Sequence, residues 1–213
     1  MKQSKWKEIL TSNQMFIVYI IVVLCIAISM KTPAFAEVST IITLARALLV
    51  TLCFAICEMV VIISGGIDVS FPAIACASLY IPICVFKEND IDNVVLAFVF
   101  AAAIGLVIGI INAVLISLLQ IPPLIATLGV SSITQGMLLT FFGTRQISRL
   151  PSTIAALNKV YLFTYQSKAG NNYSMTALIL VPIILYIVVY IVLKYTMLGR
   201  GIYAIGGDAN AAR

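Results

Sequence analysis

The sequence has no histidine and few charged residues. Of its 213 residues, 62% are hydrophobic and 10% are charged, whereas a soluble domain is about 25% charged. So little charge cannot cover a globule in water, which excludes a soluble enzyme, a disordered chain and a disulfide-stapled secreted domain. Because one membrane span needs about 20 residues, the composition predicts a polytopic membrane protein.

Motifs for catalysis and metal binding are also absent from the sequence. It contains neither GxSxG nor the nucleotide loop GxxxxGK[ST], and it has no metal-ligand cluster. We interpret the five cysteines as small apolar residues, because all of them fall in apolar runs: Cys25, Cys53, Cys57, Cys76 and Cys84. We therefore expect no catalytic residue, no metal and no cofactor, and no ATP hydrolysis by this chain.

The net charge of +5 points to membrane lipid rather than nucleic acid as the partner, because the lysines and arginines lie at segment ends and in loops. The charge distribution decides orientation only weakly. With the N-terminus inside, six cations fall on each side of the membrane. Three lysines precede the first span, which favours a cytoplasmic N-terminus.

The longest stretch without a charged side chain covers residues 93–144. It is too long for one span and must fold back, and the prolines at 122 and 123 mark the turn. We predict an all-α, polytopic transmembrane helical bundle that forms a single domain over residues 1–213. Its six spans are expected at about residues 9–30, 38–63, 71–86, 94–119, 124–142 and 175–193, with a short surface helix within 152–162.

A broken, re-entrant-like segment is predicted around residues 64–86. The sequence SGGIDVSFP at 64–72 ends one helix with glycines and places Pro72 in the first turn of the next. Asp68 or Ser70 suits the N-cap of that second helix. Unwound backbone at membrane depth is tolerated where protein or water surrounds it, and such breaks often flank solute paths in transporters.

Polar residues inside apolar spans are the candidates for a solute pathway. An ionisable group at the centre of a span costs about 2.5–3.5 kcal/mol. Arg46 lies near enough to the interface to snorkel, and it is about 18 Å along the helix from Glu58, too far to pair with it. We assign Glu58, Asp68, Asn112 and Gln135 to the pathway. Helix capping by Asp68 and hydrogen bonds between helices by the other three are the alternatives.

Small residues recur every fourth position along the fourth span, at Ala101, Gly105 and Gly109. This pattern is typical of a face that packs closely against another helix. That helix can belong to this chain or to a second subunit.

Three stretches carry a specific combination of Gly, Asp, Pro and Arg positions: VVIISGGIDVS at 60–70, NAVLISLLQIPPLIATLG at 112–129 and LGRGIYAIGGDANAAR at 198–213. They resemble, in this order, motifs in the permease subunit of sugar-type ABC importers, the ribose, xylose and galactose class. The chain departs from the pattern at 70–73, where it reads SFPA, and at Asp208, where Asn is usual. The family continues beyond the residue matching Arg213, so the resemblance implies an N-terminal portion, either a fragment or a truncated product.

The resemblance implies a multi-pass subunit of the bacterial cell membrane. Such a permease pairs with a second permease subunit, identical or different. It receives solute from an extracytoplasmic solute-binding protein and is driven by a cytoplasmic ATP-binding subunit. Residues 198–213 resemble the segment that couples to this ATPase, although without the family a basic tail on lipid headgroups is the alternative. The coupling candidates are Arg200, Asp208, Asn210, Ala211, Ala212 and Arg213.

The implied function is translocation of a monosaccharide or a similar small polar solute. A nucleoside, a signalling sugar or a branched-chain amino acid is the alternative substrate. Two other classes stay open: a non-transporting fragment that only packs against partners, and a secondary carrier that needs no ATP.

Overall fold

The computed structural model describes residues 12–143, 147, 150–167 and 170–207. Within them, helices α1 to α5 come first, a short helix and a β-hairpin follow, and two further helices complete the order. The helices are α1 Asn13–Lys31, α2 Val38–Ile63, α3 Phe71–Glu88, α4 Val94–Ser117, α5 Pro123–Phe142, α6 Ser152–Leu157, α7 Leu180–Tyr195 and α8 Met197–Gly207; the strands are β1 Tyr161–Gln166 and β2 Asn172–Thr176.

Five helices of the described chain are long and apolar enough to cross a membrane: α2, α3, α4, α5 and α7 with its leading 3₁₀ turn. The apolar part of α1, Met15–Lys31, is shorter. The predicted helical membrane bundle is therefore confirmed, while its count of six spans stays a prediction. The 18 residues of α3 extend about 27 Å, and the re-entrant course of this segment also stays a prediction.

The outer faces of the helices are covered with exposed large apolar side chains, such as Phe98, Leu106 and Phe141. A continuous apolar surface of this kind is a liability in water. In lipid it is the ordinary outer face of a spanning helix, because acyl chains are as apolar as leucine. The surface therefore supports the membrane assignment independently of helix length.

The chain divides into two compact units, of which the first comprises Met1–Arg46 with Phe163–Met175. In this unit the carboxylate of Glu37 accepts hydrogen bonds from the hydroxyls of Ser39 (3.1 Å) and Ser167 (3.3 Å). Arg46 Nη1 donates to the carbonyl of Ser174, 3.0 Å away. Arg46 is thus bound to strand β2, a contact that its snorkelling distance from the helix start did not predict.

The second unit comprises Ala47–Leu162 with Thr176–Arg213, and its core lies where α3, α4 and α5 pack together. Ala73 and Ala77 of α3 are almost fully buried, and such small side chains let neighbouring helices approach closely. At one end of α3, the ring of Phe86 packs edge-on against Phe100 of α4, with 5.6 Å between centroids. This packing fixes α3 between its two neighbours.

The stretch before α7 differs in part from the prediction. The expected surface helix forms, but it is the six-residue α6, and the chain then enters strand β1 instead of continuing as helix. The β1 sequence YLFTYQ is rich in aromatic residues, which favour strands. Strands β1 and β2 form a two-stranded sheet, an element that the all-α prediction did not contain.

Candidate functional site

The break between α2 and α3 begins with a glycine-dependent helix end. Gly65 has a φ of +84°, a conformation that glycine adopts without steric cost. Its N–H donates to the Ile62 carbonyl at 3.0 Å, and the N–H of Gly66 donates to the Val61 carbonyl at 3.1 Å. These two bonds form a Schellman motif. The motif stops α2 at Ile63 and turns the chain towards Asp68.

Asp68 then organises the backbone that enters α3. Its Oδ1 accepts hydrogen bonds from the N–H of Ser70 at 2.7 Å and from the Ser70 hydroxyl at 2.6 Å, an aspartate turn of the kind that stabilises loops. Ser70 occupies the N-cap position, one of the two predicted alternatives, but its own side chain makes no cap bond. One reason is Pro72, which has no N–H and so removes one donor from the first turn.

Asn112 reaches this turn from near the C-terminal end of α4. Its Nδ2 donates to Ser70 Oγ at 2.7 Å. An ionised carboxylate only accepts, so the Ser70 hydroxyl must give its proton to Asp68 and accept from Asn112. This order turns the amide oxygen of Asn112 away from Ser70. The oxygen is buried and has no hydrogen-bond partner among the described residues.

Two further side chains bind backbone amides of the break. Oε1 of Glu58 accepts from the N–H of Asp68 at 3.3 Å, and Oγ1 of Thr127 accepts from the N–H of Val69 at the same distance. Glu58 lies on α2 and Thr127 in the first turns of α5. The break is therefore bound by side chains from the helix before it and from a helix 58 positions later.

These residues, Glu58, Asp68, Ser70, Asn112 and Thr127, are called the polar relay below. Ser70 is completely buried, Thr127 is 1% exposed and Asn112 is 6% exposed, whereas both carboxylates are half-buried. Neither carboxylate has a cationic partner in the part of the chain that the structure describes. The relay is therefore rich in acceptors, and a ligand that enters it must supply hydrogen-bond donors.

Gln135 stands apart from the relay. It is exposed on α5, and its Nε2 donates to Ser131 Oγ at 3.4 Å. It follows Thr127 by eight residues, so it lies about 12 Å further along the helix. The structure thus brings together three of the four predicted pathway residues and leaves Gln135 outside the relay.

The relay also contains Ser70 and Thr127, which the sequence assignment of pathway residues omitted. The sequence indicates Ser70 only as a candidate helix cap. Thr127 belongs to a detectable pattern, because Thr127, Ser131 and Thr134 are the buried polar residues of α5 and recur at helical spacing. A search for polar residues at three- and four-residue intervals would have found this face.

The small residues of α4 have different surroundings. A Cβ on Gly105 would lie 3.5 Å from Ser78 Oγ of α3, an ordinary contact, while a Cβ on Gly109 would meet no other described residue within 4 Å. Ala101 is partly exposed. The face therefore approaches α3 at Gly105 and is open at Gly109.

Of the coupling candidates, Arg200 lies exposed on α8. Asp208, Asn210, Ala211, Ala212 and Arg213 lie outside the described residues. The described part of the segment is the helix α8, which ends at Gly207.

A separate polar cluster lies in the loop between α3 and α4. The carboxylate of Asp92 accepts hydrogen bonds from the hydroxyl and N–H of both Ser152 and Thr153, at the start of α6. The bond from the Ser152 hydroxyl is the main influence, those from Thr153 follow, and together they lower the pKa of Asp92 from 3.8 to about 2. Asp92 thus attaches α6 to the α3–α4 loop.

Comparison with known proteins identifies related sequences. The family described as "Branched-chain amino acid transport system / permease component" matches residues 15–213. The galactose/methyl galactoside import permease protein MglC of Salmonella typhimurium (strain LT2) is 27% identical over 158 residues, which are 71% of this chain and 45% of the relative.

Two further relatives are autoinducer 2 import system permease proteins LsrC. The one from Yersinia pseudotuberculosis serotype O:3 is 29% identical over 57% of this chain and 32% of its own length. The one from Yersinia pestis (strain Pestoides F) is 30% identical over 54% and 30%. The chain thus spans less than half the length of these relatives, and no solved structure matches it.

Proposed function

The chain belongs to the branched-chain amino acid transport system permease-component family, and from that membership we propose that it forms the membrane-spanning pathway of an ATP-driven importer. The solute is a monosaccharide or a similar small, polar, uncharged molecule. The protein is a multi-pass protein of the bacterial cell membrane, and we place its N-terminus in the cytoplasm.

The polar relay is the observation that carries this proposal. A buried amide oxygen without a partner costs about 1–3 kcal/mol, and the oxygen of Asn112 is such a group. It lies at a helix break, where the backbone is already unwound and where transporters bind their solutes. A passing solute that donates to this oxygen relieves the cost.

The charges of the relay favour an uncharged solute over an anion. Glu58 and Asp68 both present carboxylates, and neither has a cationic partner among the described residues. A phosphate or another anion would be repelled here, while the hydroxyls of a polyol can donate to acidic and amide oxygens. Similarity to permeases whose names include galactoside import and autoinducer 2 import also supports a sugar-like solute.

Energy enters through partners in this proposal. A cytoplasmic ATP-binding subunit hydrolyses ATP and binds the segment formed by α8 and the residues that follow, with exposed Arg200 and Asp208, Asn210, Ala211, Ala212 and Arg213 as contact residues. An extracytoplasmic binding protein delivers the solute. A second permease subunit completes the membrane assembly, with the part of the α4 face that is open at Gly109 as a candidate contact.

Uptake measurements test the proposed function. The complete locus, with its ATPase and binding protein, is expressed in cells lacking their own sugar importers, and the accumulation of labelled sugars is followed. We expect accumulation of a neutral sugar that excess branched-chain amino acid does not inhibit. Equal competition by the amino acid would contradict the substrate class, and absence of any energised uptake would contradict transport.

Two substitutions of Asp68 separate its charge from its role in the turn. Asp68→Ala removes both, and we expect uptake to fall about tenfold or more. Asp68→Asn keeps an acceptor for Ser70 and removes the charge. Asp90→Asn is the matched control, because Asp90 is exposed in the α3–α4 loop. Unchanged uptake in Asp68→Ala would contradict a role for Asp68.

A pull-down tests the alternative that the chain only packs against other membrane proteins. We expect the tagged permease to retain the ATPase subunit and to lose it when residues 208–213 are deleted. No association of the undeleted protein would favour the non-transporting alternative.

A further inference from the structure

The end of α2 is in direct backbone contact with α8. A Cβ placed on Gly206 would overlap the carbonyl oxygen of Ile63, and it would lie 3.0 Å from the Ile63 carbonyl carbon and 3.2 Å from that of Ser64. All three are backbone atoms and cannot rotate away as a side chain can. Position 206 therefore accepts only glycine while α8 lies where it does.

The contact is reciprocal and local. A Cβ on Gly65 would lie 3.5 Å from the Cα of Gly206, so two glycines from the two segments face each other. Next to them is a cavity of about 450 Å³, lined by Met59 of α2, Tyr190 of α7 and Tyr203 of α8 among others. The side chains around the contact are thus loosely packed, and the glycine contact fixes the distance between α8 and the end of α2.

The contact lies a short distance along the chain from the polar relay. Asp68 follows Ser64 by four residues. The Schellman motif fixes the first half of the linker between them. Glu58 and Thr127 bind the amides of Asp68 and Val69 at its other end. Because this linker is bound at both ends, a displacement of Ile63 by α8 would be passed along the backbone to Asp68 and Ser70.

We propose that Gly206 is a positioning residue, through which displacement of α8 by the ATPase is passed to the helix break that carries Asp68 and Ser70. The inference rests on the proposed function, since it takes α8 as part of the ATPase contact. Its new content is the transmission point: one backbone contact between Gly206 and Ile63. Any side chain at 206 separates the two segments and loosens the coupling.

Gly206→Ala and Gly136→Ala form a matched pair for the test. Gly136 lies in α5, outside the proposed ATPase contact, and a Cβ on it would meet no other described residue within 4 Å. The complete transporter is reconstituted in liposomes with its ATPase and binding protein. Solute uptake and ATP hydrolysis are measured in the same sample. We expect Gly206→Ala to raise the ATP consumed per solute about fivefold or more, the lower end of measured coupling between sites, and Gly136→Ala to leave it unchanged.

The ratio distinguishes positioning from damage. A variant that only misfolds assembles fewer complexes, so solute uptake and solute-stimulated ATP hydrolysis fall together. The complexes that do assemble keep the wild-type ratio of ATP consumed per solute transported. An unchanged ratio in Gly206→Ala would overturn the proposal. If the wild-type protein itself neither transports nor binds the ATPase, the proposed function fails instead.

Hydrogen exchange of the wild-type complex gives an answer even if Gly206→Ala does not assemble. The amides of Gly65 and Gly66 are bonded in the Schellman motif, so their exchange reports its opening. We expect trapping of the ATPase with ADP and vanadate to change their protection. Identical protection in the trapped and resting complexes would overturn the proposal.

Discussion

Asp68 and Asn112 bind the same hydroxyl group: Ser70 Oγ donates to Asp68 at 2.6 Å and accepts from Asn112 at 2.7 Å. The hydroxyl thereby links the unwound segment before α3 to α4 near its C-terminal end. The Ser70 hydroxyl gives its only proton to Asp68 and accepts from Nδ2 of Asn112. This arrangement fixes the orientation of the Asn112 amide. Among the described residues, the amide oxygen of Asn112 is the buried polar atom of the relay that has no hydrogen-bond partner.

Replacing Asn112 with leucine is expected to separate stability from transport. Asn112→Leu removes a buried acceptor that has no partner among the described residues, and it also removes the hydrogen bond from Nδ2 to Ser70 Oγ. Because the gain from the first offsets the loss of the second, we expect the free energy of unfolding to change by no more than about 1 kcal/mol. Uptake should nevertheless be lost, because the solute loses its acceptor. Thermal unfolding in detergent and uptake in cells measure the two quantities. Strong destabilisation together with normal uptake of the folded fraction would contradict this role.

Replacing Ser70 with alanine, in contrast, is expected to destabilise the protein. Ser70→Ala leaves the amide nitrogen of Asn112 buried without an acceptor and removes one donor from Asp68, so we expect a loss of about 1–3 kcal/mol. Ser117→Ala is the control, because the Ser117 hydroxyl is exposed and bonds only within its own helix. If the two serine variants unfold at the same temperature, the relay does not stabilise the break.

The sequence identified these residues singly but could not show that they meet. Glu58, Asp68 and Asn112 were selected because polar groups are costly in apolar helices. The bond between Asn112 and Ser70 joins positions 42 residues apart, and only the packing of α4 against α3 brings them together. Gln135 illustrates the converse. It is polar and lies in a span, but it lies further along α5 than Thr127 and outside the relay.

The sequence predicted neither the β-hairpin nor the contact between Gly206 and Ile63, and the reasons differ. Strand β1 reads YLFTYQ, which lacks the regular polar and apolar alternation that identifies a half-buried strand. Gly206 lies next to Gly207 and close to Gly201 in the sequence, and nothing local distinguishes them. Only the neighbouring carbonyl of Ile63 makes position 206 special.

The open part of the α4 face predicts where a second subunit binds. Gly109→Leu adds a side chain where no other described residue lies within 4 Å, so the single chain should unfold at its normal temperature. If Gly109 packs against a second subunit, the bulky side chain should abolish the pairing. Cross-linking in membranes and light scattering in detergent measure the association. Gly105→Ala, which meets only ordinary contacts with α3, should leave the pairing unchanged, and wild-type association of Gly109→Leu would remove this face from the interface.

Asp92 predicts an acid-sensitive attachment of helix α6. A group whose pKa is lower in the folded than in the unfolded protein stabilises the fold above its unfolded pKa, and the contribution disappears as the pH falls through the folded value. Bonding to Ser152 and Thr153 lowers the pKa of Asp92 to about 2, while an unfolded aspartate titrates at about 3.9. The attachment should therefore be intact above about pH 4 and be lost progressively towards pH 2. Amide hydrogen exchange at Ser152 and Thr153 measures this opening.

Two variants in the same loop check the assignment to Asp92. Asp92→Asn keeps the side-chain shape but cannot gain stability by ionising, so the protection of Ser152 and Thr153 should be weaker at neutral pH and nearly independent of pH below 4. Asp90→Asn, two residues earlier and exposed, should retain the wild-type pH profile. If the Asp92→Asn profile follows that of the wild type between pH 4 and 2, another group controls the opening of α6.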